Sequence, residues 1–224
     1  MTSGDWPDKY APRTFDDVVG NEEAVHDFRH FARRPDEMGH LLLYGMRGTG
    51  KTTLVNLLVD ALGLKEAMKS LNASNDRGID AMREQVVRYM RERGLIDLYG
   101  LPFKLIVLEE ADQLTPEAQR MLKTPLEAYK RNCRALFLCN DRNQIIPEIS
   151  DRCMEYSFSP LQRGDMLPRL SWIAGQEGVE ADLEGICDLC GGSMRKAISL
   201  LQQRAISGRR QHRRLAWVDE ILKQ

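Results

Sequence analysis

At 224 residues, with 42% hydrophobic and 29% charged residues and a net charge of −1, the composition is that of a globular protein. The length suits one large domain, or a large one with a small one. The near-zero balance excludes nucleic-acid or membrane affinity carried by overall charge, so any such contact needs a local patch.

No apolar run reaches the length of a membrane span, and the start MTSGDWPDKY has no apolar signal region. The five cysteines are odd in number and lie in apolar settings, which suits a reducing compartment. A cytoplasmic, non-secreted protein without membrane contact is expected.

Residues 1–20 carry Pro7 and Pro12 and read as an extended arm. Trp6, Tyr10, Phe15 and Val18-Val19 are large apolar points, so the arm is expected to pack on the body. Asn21 suits a helix N-cap and Glu22-Glu23 suit the first turn of a helix to about Arg33. Pro35 and Gly39 close it.

His40–Thr53, HLLLYGMRGTGKTT, is the most informative stretch. Leu41 to Tyr44 read as a buried strand, and residues 52–62 as a helix stopped by Gly63. Between them stands G-x-x-x-x-G-K-T, the phosphate-cradling pattern in its strand-to-helix setting. Its glycines let backbone N–H groups converge on one anion, and the helix N-terminus adds partial positive charge. Lys51 would reach the β and γ phosphates, and Thr52 would ligate magnesium.

Met68–Asn72 reads as a second strand, Ser74–Gly78 as a turn, and residues 79–93 as an amphipathic helix with a solvated face of Arg83, Arg88 and Arg91. Gly94–Pro102 reads as a connector. Phe103–Leu108 is apolar apart from Lys104, as in the middle of a parallel sheet. It ends in Glu109-Glu110-Ala111-Asp112, at the strand end where open α/β sheets bind ligands. Thr115 and Pro116 start a helix to about Arg131, in which Pro125 is expected to kink or interrupt. Ala135–Cys139 and Met154–Phe158 are further strands.

From Gln162 onward the pattern is helical, with segments near 163–176, 180–190, 193–206 and 214–223. Cys187 and Cys190 have the spacing of half a zinc site, but no second pair stands at metal spacing, so buried thiols are expected. The tail holds Arg204, Arg209, Arg210, Arg213 and Arg214, either a solvated end or a contact for a nucleic acid or partner. The pattern predicts an α/β domain over 1–160 with a mainly parallel five-stranded sheet, then a small helical domain over 161–224.

A P-loop ATPase needs an acid for magnesium and a group that orients the attacking water, both beside the P-loop strand. LIVLEEAD supplies two carboxylates there. With a triphosphate in place, Asn140 could position the water and Arg152 could project to a neighbour's nucleotide. Arg195 could reach over the phosphates, and Arg77 could dock a phosphate backbone.

WPDKYAPRTFDDVVG, GMRGTGKTT, NASNDRGID, PFKLIVLEEAD, CRALFLCN, IIPEISDRC and GGSMRKAISLLQ occur in an order that resembles the AAA+ ATPase subunits of sliding-clamp loaders, of the replication factor C small-subunit type. The resemblance covers residues 6–203. It implies an AAA+ domain followed by a helical lid, with ATP and magnesium as cofactors. It also implies partners: further clamp-loader subunits in a pentamer, a sliding clamp and primer–template DNA.

By the same resemblance, Gly45, Gly48, Thr49, Gly50, Lys51, Thr52 and Thr53 form the nucleotide loop. Glu109 takes the magnesium-holding Walker B position, and Glu110 is the catalytic glutamate. Asn140 and Arg195 are sensors, and Arg152 is an arginine finger acting in trans. Tyr10, Val18 and Val19 fall at the adenine pocket, and Arg77, Gly78, Ile79 and Arg83 at a DNA-lined channel.

This sequence departs from the family in several places. Glu109 replaces aspartate, Asp151 replaces serine, and Gln144 replaces a basic residue, with Arg142 two positions earlier. Pro125 lies in a normally continuous helix. The family's collar domain, which ties the subunits together, is not matched before Gln224. Two rival readings follow: a hydrolysis-poor subunit that binds ATP structurally, and a short AAA+ helicase loader or recombination ATPase.

Overall fold

The computed structural model describes residues 4–73 and 79–221, with side chains over 4–73 and 84–207. Its residues fall into two compact units. One runs from Pro12 to Ser159. The other joins the N-terminal residues up to Ala11 with Pro160 onward.

The larger unit is built on five parallel strands: β1 (His40–Gly45), β2 (Met68–Asn72), β3 (Lys104–Glu109), β4 (Cys133–Cys139) and β5 (Cys153–Phe158), in the order β2-β3-β4-β1-β5. The sheet expected to be mainly parallel is wholly so. Both faces are covered, which is why β1, β3 and β4 are near-continuous apolar runs. On one face α2 (Glu22–Arg33) and α3 (Lys51–Ala61) pack Phe28, Leu54, Val55 and Leu58 against Leu41, Leu43, Leu105 and Val107. On the other, Val86 and Met90 of α4 (Ile79–Arg91) and Leu122 and Leu126 of α6 (Pro116–Ala128) cover Leu42, Ile106, Leu108 and Phe137.

Residues 94–102 are not merely a connector: α5 (Gly94–Tyr99) occupies most of them and ends at Gly100. Thr115 caps α6 by accepting from Ala118 N at 3.2 Å. Pro125 does not end α6, which continues to Ala128 with Tyr129 N donating to the Pro125 carbonyl at 3.0 Å. What the proline removes is one N–H, the donor that would meet the Met121 carbonyl one turn earlier, and the rest of the helix is kept. A four-residue helix, α7 (Pro147–Ser150), precedes β5.

The smaller unit holds α1 (Trp6–Lys9), α8 (Arg163–Glu177), α9 (Leu183–Cys190) and α10 (Met194–Ile221). The last two helical segments of the sequence reading are one continuous helix, because residues 207–213 contain no proline and only one glycine, Gly208, to separate them. Asp182 caps α9 and Ser193 caps α10 through N–H bonds from Gly185 and Lys196.

The arm does not belong to the α/β domain as a whole. Its first part is fastened in the helical unit: Trp6 N donates to Gln202 Oε1 at 3.1 Å, and Tyr10 stacks edge-on with Trp6 and Trp172. Its second part, Phe15 and Val18, packs against the α/β core. Cys187 and Cys190 are both buried, and Cys190 Sγ donates to the Cys187 carbonyl at 3.1 Å. Among the described residues no helix is long and apolar enough to cross a membrane, and no cluster of His, Cys, Asp and Glu could hold a metal.

Candidate functional site

The C-terminal edge of the sheet gathers most of the α/β residues singled out by sequence. β1 ends at Gly45, where the chain must turn sharply over β5. Gly45 has φ +132°, and a Cβ there would stand 2.1 Å from the Phe158 carbonyl oxygen. Glycine is therefore required by close approach as well as by conformation. Gly50, at φ +110°, opens α3, and a Cβ there would meet nothing within 4 Å. The α3 N-terminus has no side-chain cap, so its first N–H groups are left to another acceptor.

The loop between them is closed on itself. Lys51 Nζ donates to the carbonyls of Gly45 at 2.6 Å and Met46 at 2.9 Å, and buried Thr49 Oγ1 donates to the Met46 carbonyl at 2.8 Å. Burial holds the Lys51 ammonium below its usual pKa, with Cys139 and Asp112 opposing the shift. Thr52 is exposed and Thr53 half-buried on the first turn of α3.

Asn21 braces this loop. It takes the N-cap position of α2 that the sequence suggested, but in the left-handed region at φ 53° and without a side-chain cap bond. Its Nδ2 instead donates to the Thr49 carbonyl at 3.0 Å, across 28 residues. Asparagine tolerates that backbone region better than most residues, a signal that a sequence can carry.

β3 delivers the two carboxylates. Glu109 Oε1 accepts from Ser70 Oγ of β2 at 2.9 Å. Glu110 has φ 52°, a strained value for a non-glycine residue, and its carboxylate pairs with Arg47 of the loop at 2.8 Å. Asn140 follows β4 and is half-buried. Asp112 fixes its backbone: Oδ2 accepts from Asn140 N at 3.2 Å and Asp141 N at 3.3 Å. Asp112 Oδ1 is buried with no partner. A second brace, buried Gln119 of α6, donates to the carbonyls of Leu114 and Gln144 and accepts from Ile146 N.

Other candidates stand apart. Arg152 lies between α7 and β5 and is bound to Glu127 and to the Glu148 carbonyl. Arg142 forms a double ion pair with Glu155 at 2.6 and 2.7 Å, so its charge is already engaged.

Tyr10 is buried in the helical unit, where its hydroxyl donates to Glu177 at 2.7 Å, while Val18 and Val19 are half-buried in the α/β unit. Arg195 is exposed on the first turn of α10. Arg77 and Gly78, and the side chains of Ile79 and Arg83, lie outside the described residues.

The residues present fit a magnesium-bound triphosphate. A half-buried ammonium spent on loop carbonyls and an uncapped helix start suit phosphate oxygens. The hydroxyl of Thr52 and the carboxylate of Glu109 are oxygen donors of the kind a hard cation takes.

A phosphate loop opening a helix, on a parallel sheet with acids and an amide at the ends of neighbouring strands, defines a P-loop nucleotide-binding protein. The sequence model of the ATPase family associated with various cellular activities (AAA) matches residues 41–161, more than half of the chain, and the chain belongs to that family.

It is 40% identical over 210 residues to the replication factor C small subunit of Staphylothermus marinus, covering 91% of this chain and 63% of that protein. Small subunit 1 of Pyrobaculum islandicum is 41% identical with the same coverage, and the Archaeoglobus fulgidus small subunit 39% identical, covering 91% and 64%. The chain thus spans somewhat less than two thirds of the length of these relatives. The RuvB Holliday junction branch migration motor of Thermotoga maritima superposes with a TM-score of 0.69 at 17% identity, over 86% of this chain and 64% of that one, a likeness of fold.

Proposed function

We propose that this chain is an ATP-hydrolysing subunit of a clamp loader, which places a sliding clamp on primer–template DNA during replication. The observation that carries the reading is the convergence of Lys51, Glu109, Glu110 and Asn140 on one edge of a parallel sheet, in a chain about 40% identical to replication factor C small subunits.

Lys51 would leave its loop carbonyls for the β and γ phosphates. Thr52 and Glu109 would hold magnesium, which supplies charge neutralisation at the phosphoryl oxygens when bound. Glu110 would orient water and take its proton once released from Arg47, and Asn140 would set that water's position. Arg195 would serve as a sensor from the lid.

Arg152 would stabilise charge in a neighbouring subunit's site, within an assembly expected to be pentameric. Tyr10, Val18 and Val19 would contribute to adenine binding. Arg77, Gly78, Ile79 and Arg83 would hold DNA by its phosphates, a contact that needs no overall positive charge. The basic residues beyond Arg204 are a further candidate for nucleic acid.

The test is ATP turnover with and without clamp and primed DNA, on wild type, Lys51→Ala and Arg152→Ala. Stimulated turnover should fall on the order of 10³-fold without the arginine. Unstimulated turnover indifferent to Arg152 would overturn the assembly reading. The hydrolysis-poor reading is favoured by one observation, the Glu109 carboxylate drawn back onto Ser70. Under it, Glu110→Gln leaves turnover unchanged.

A further inference from the structure

Arg152 is more constrained than a half-buried surface arginine needs to be. Its Nε donates to Glu127 Oε1 at 2.8 Å, its Nη2 donates to the same oxygen, and its Nη1 donates to the Glu148 carbonyl at 2.7 Å. A guanidinium has five N–H donors, so two remain for another acceptor.

Both partners sit on firm ground. Glu127 follows Leu126 on α6, and the Leu126 carbonyl accepts from buried His40 Nε2 at 3.0 Å. Glu148 belongs to α7, whose Ile149 and Ser150 are buried, and Arg152 N itself donates to the Ile149 carbonyl. The guanidinium is thus fixed from two helices of one rigid sheet-backed layer.

We infer that Glu127 is a positioning residue for Arg152, holding the guanidinium in one orientation with two N–H groups free for a phosphoryl oxygen of a neighbouring subunit. The inference rests on the reading of Arg152 as the trans-acting arginine. A free arginine side chain spreads over many rotamers, and ordering it at the moment of reaction costs rate. With Glu127 58% exposed, the ion pair contributes little to stability. Its worth therefore lies in placement. A carboxylate also offsets part of the positive charge that the arginine presents, so a neutral acceptor of the same shape should place it equally well.

The experiment measures clamp- and DNA-stimulated turnover in the complete assembly for Glu127→Ala, Glu127→Gln, Arg152→Ala and the Glu127→Ala/Arg152→Ala pair. Glu127→Ala should lower kcat about tenfold with KM for ATP nearly unchanged, because placement and not ground-state binding is lost. Glu127→Gln should keep most of the rate, and the double variant should be no slower than Arg152→Ala alone.

A second readout needs no nucleotide. The Arg152 Nε–H proton of the full chain, followed by NMR hydrogen exchange, should be protected in wild type and Glu127→Gln and fast in Glu127→Ala. Arg152→Ala without effect on turnover overturns the trans-acting reading and this inference with it. Loss of rate in Arg152→Ala but not in Glu127→Ala, additive losses in the double variant, or an unprotected Nε–H in wild type overturns this inference alone.

Discussion

The two ends of the sheet treat polar groups in opposite ways. At the end where the strands begin, buried polar side chains are committed to internal partners. His40 Nδ1 accepts from Ala135 N at 3.0 Å while Nε2 donates to the Leu126 carbonyl, so the ring is held neutral in one tautomer. Lys104, 1% exposed, donates to the Tyr89 carbonyl and lies 4.3 Å from that ring's centre. Arg134 Nε donates to the Met38 carbonyl at 2.7 Å and its guanidinium lies over the Phe103 ring, while its Nη1 is buried without a partner.

Where the strands end, the groups are short of external partners. Lys51 is spent on its own loop, Asp112 Oδ1 has no partner, and Glu110 pairs through a strained backbone with an exposed arginine. The contrast is one of use and not of completeness, since Arg134 Nη1 and the Tyr89 hydroxyl beside Lys104 are also buried without partners. At one end the bonds tie strands and helices together, and at the other they hold charged groups on a loop from which a ligand can take them.

The sharpest way to break this contrast is at the hinge between sheet and loop. Gly45→Ala combines a left-handed φ with a Cβ 2.1 Å from a backbone oxygen of β5, which cannot swing away as a side chain would. It should cost about 4 kcal/mol, measured by urea denaturation, and loosen the pairing of β1 with β5. Gly50→Ala has the unfavourable φ but open space, and should cost about 1 kcal/mol while weakening nucleotide binding more than stability. Equal losses at the two glycines would show that close approach is not what Gly45 serves.

The scaffold end predicts a pH effect. Burial pushes the His40 imidazole from 6.5 down to about 4. Above pH 6.5 both folded and unfolded chains hold it neutral, and stability is complete. Between 6.5 and 4 the unfolded chain takes up a proton that the folded chain refuses, so stability falls as pH falls, by about 3 kcal/mol in total. His40→Asn can still accept from Ala135 N and does not titrate. Its unfolding free energy should be lower at pH 7 but flatter between pH 6.5 and 5, before the carboxylates titrate. Parallel curves for the two proteins would assign the acid lability elsewhere.

How far the sequence announced this arrangement depends on the range of the interaction. The phosphate loop, the five strands and the Thr115 cap are local patterns, and each follows from residues within a few positions of one another. Asn21 on Thr49, Ser70 on Glu109, Arg47 on Glu110 and Glu127 on Arg152 join residues 25 to 63 positions apart. No periodicity encodes them. The fold brings them together only after the strand order is set. For the same reason Tyr10 reads as part of the α/β domain, although its hydroxyl finds Glu177, 167 residues later. The division of α10 into two segments fails differently: a polar, arginine-rich stretch weakens the apolar periodicity without offering a breaker.

The smallest effect concerns Glu109, whose partner at the site end is a neutral hydroxyl of the neighbouring strand. Ser70 pairs in register with Val107, two residues before Glu109, so the Glu109 carboxylate reaches back along the sheet to meet the Ser70 hydroxyl at 2.9 Å. An aspartate, one methylene shorter, would not reach so far. That bond draws the carboxylate toward β2, and if Glu109 holds magnesium as proposed, metal binding would have to break it. A hydrogen bond from a hydroxyl to a carboxylate contributes about 1 to 2 kcal/mol, much of it regained through water.

Ser70→Ala should therefore lower the magnesium concentration giving half-maximal turnover by roughly threefold, and Glu109→Asp should shift it in the same direction. The two changes should not add, since both remove one bond. A higher magnesium requirement in Ser70→Ala would give Ser70 the opposite role, orienting Glu109 toward the metal. The Ser70–Glu109 bond would then be one that places a group for use.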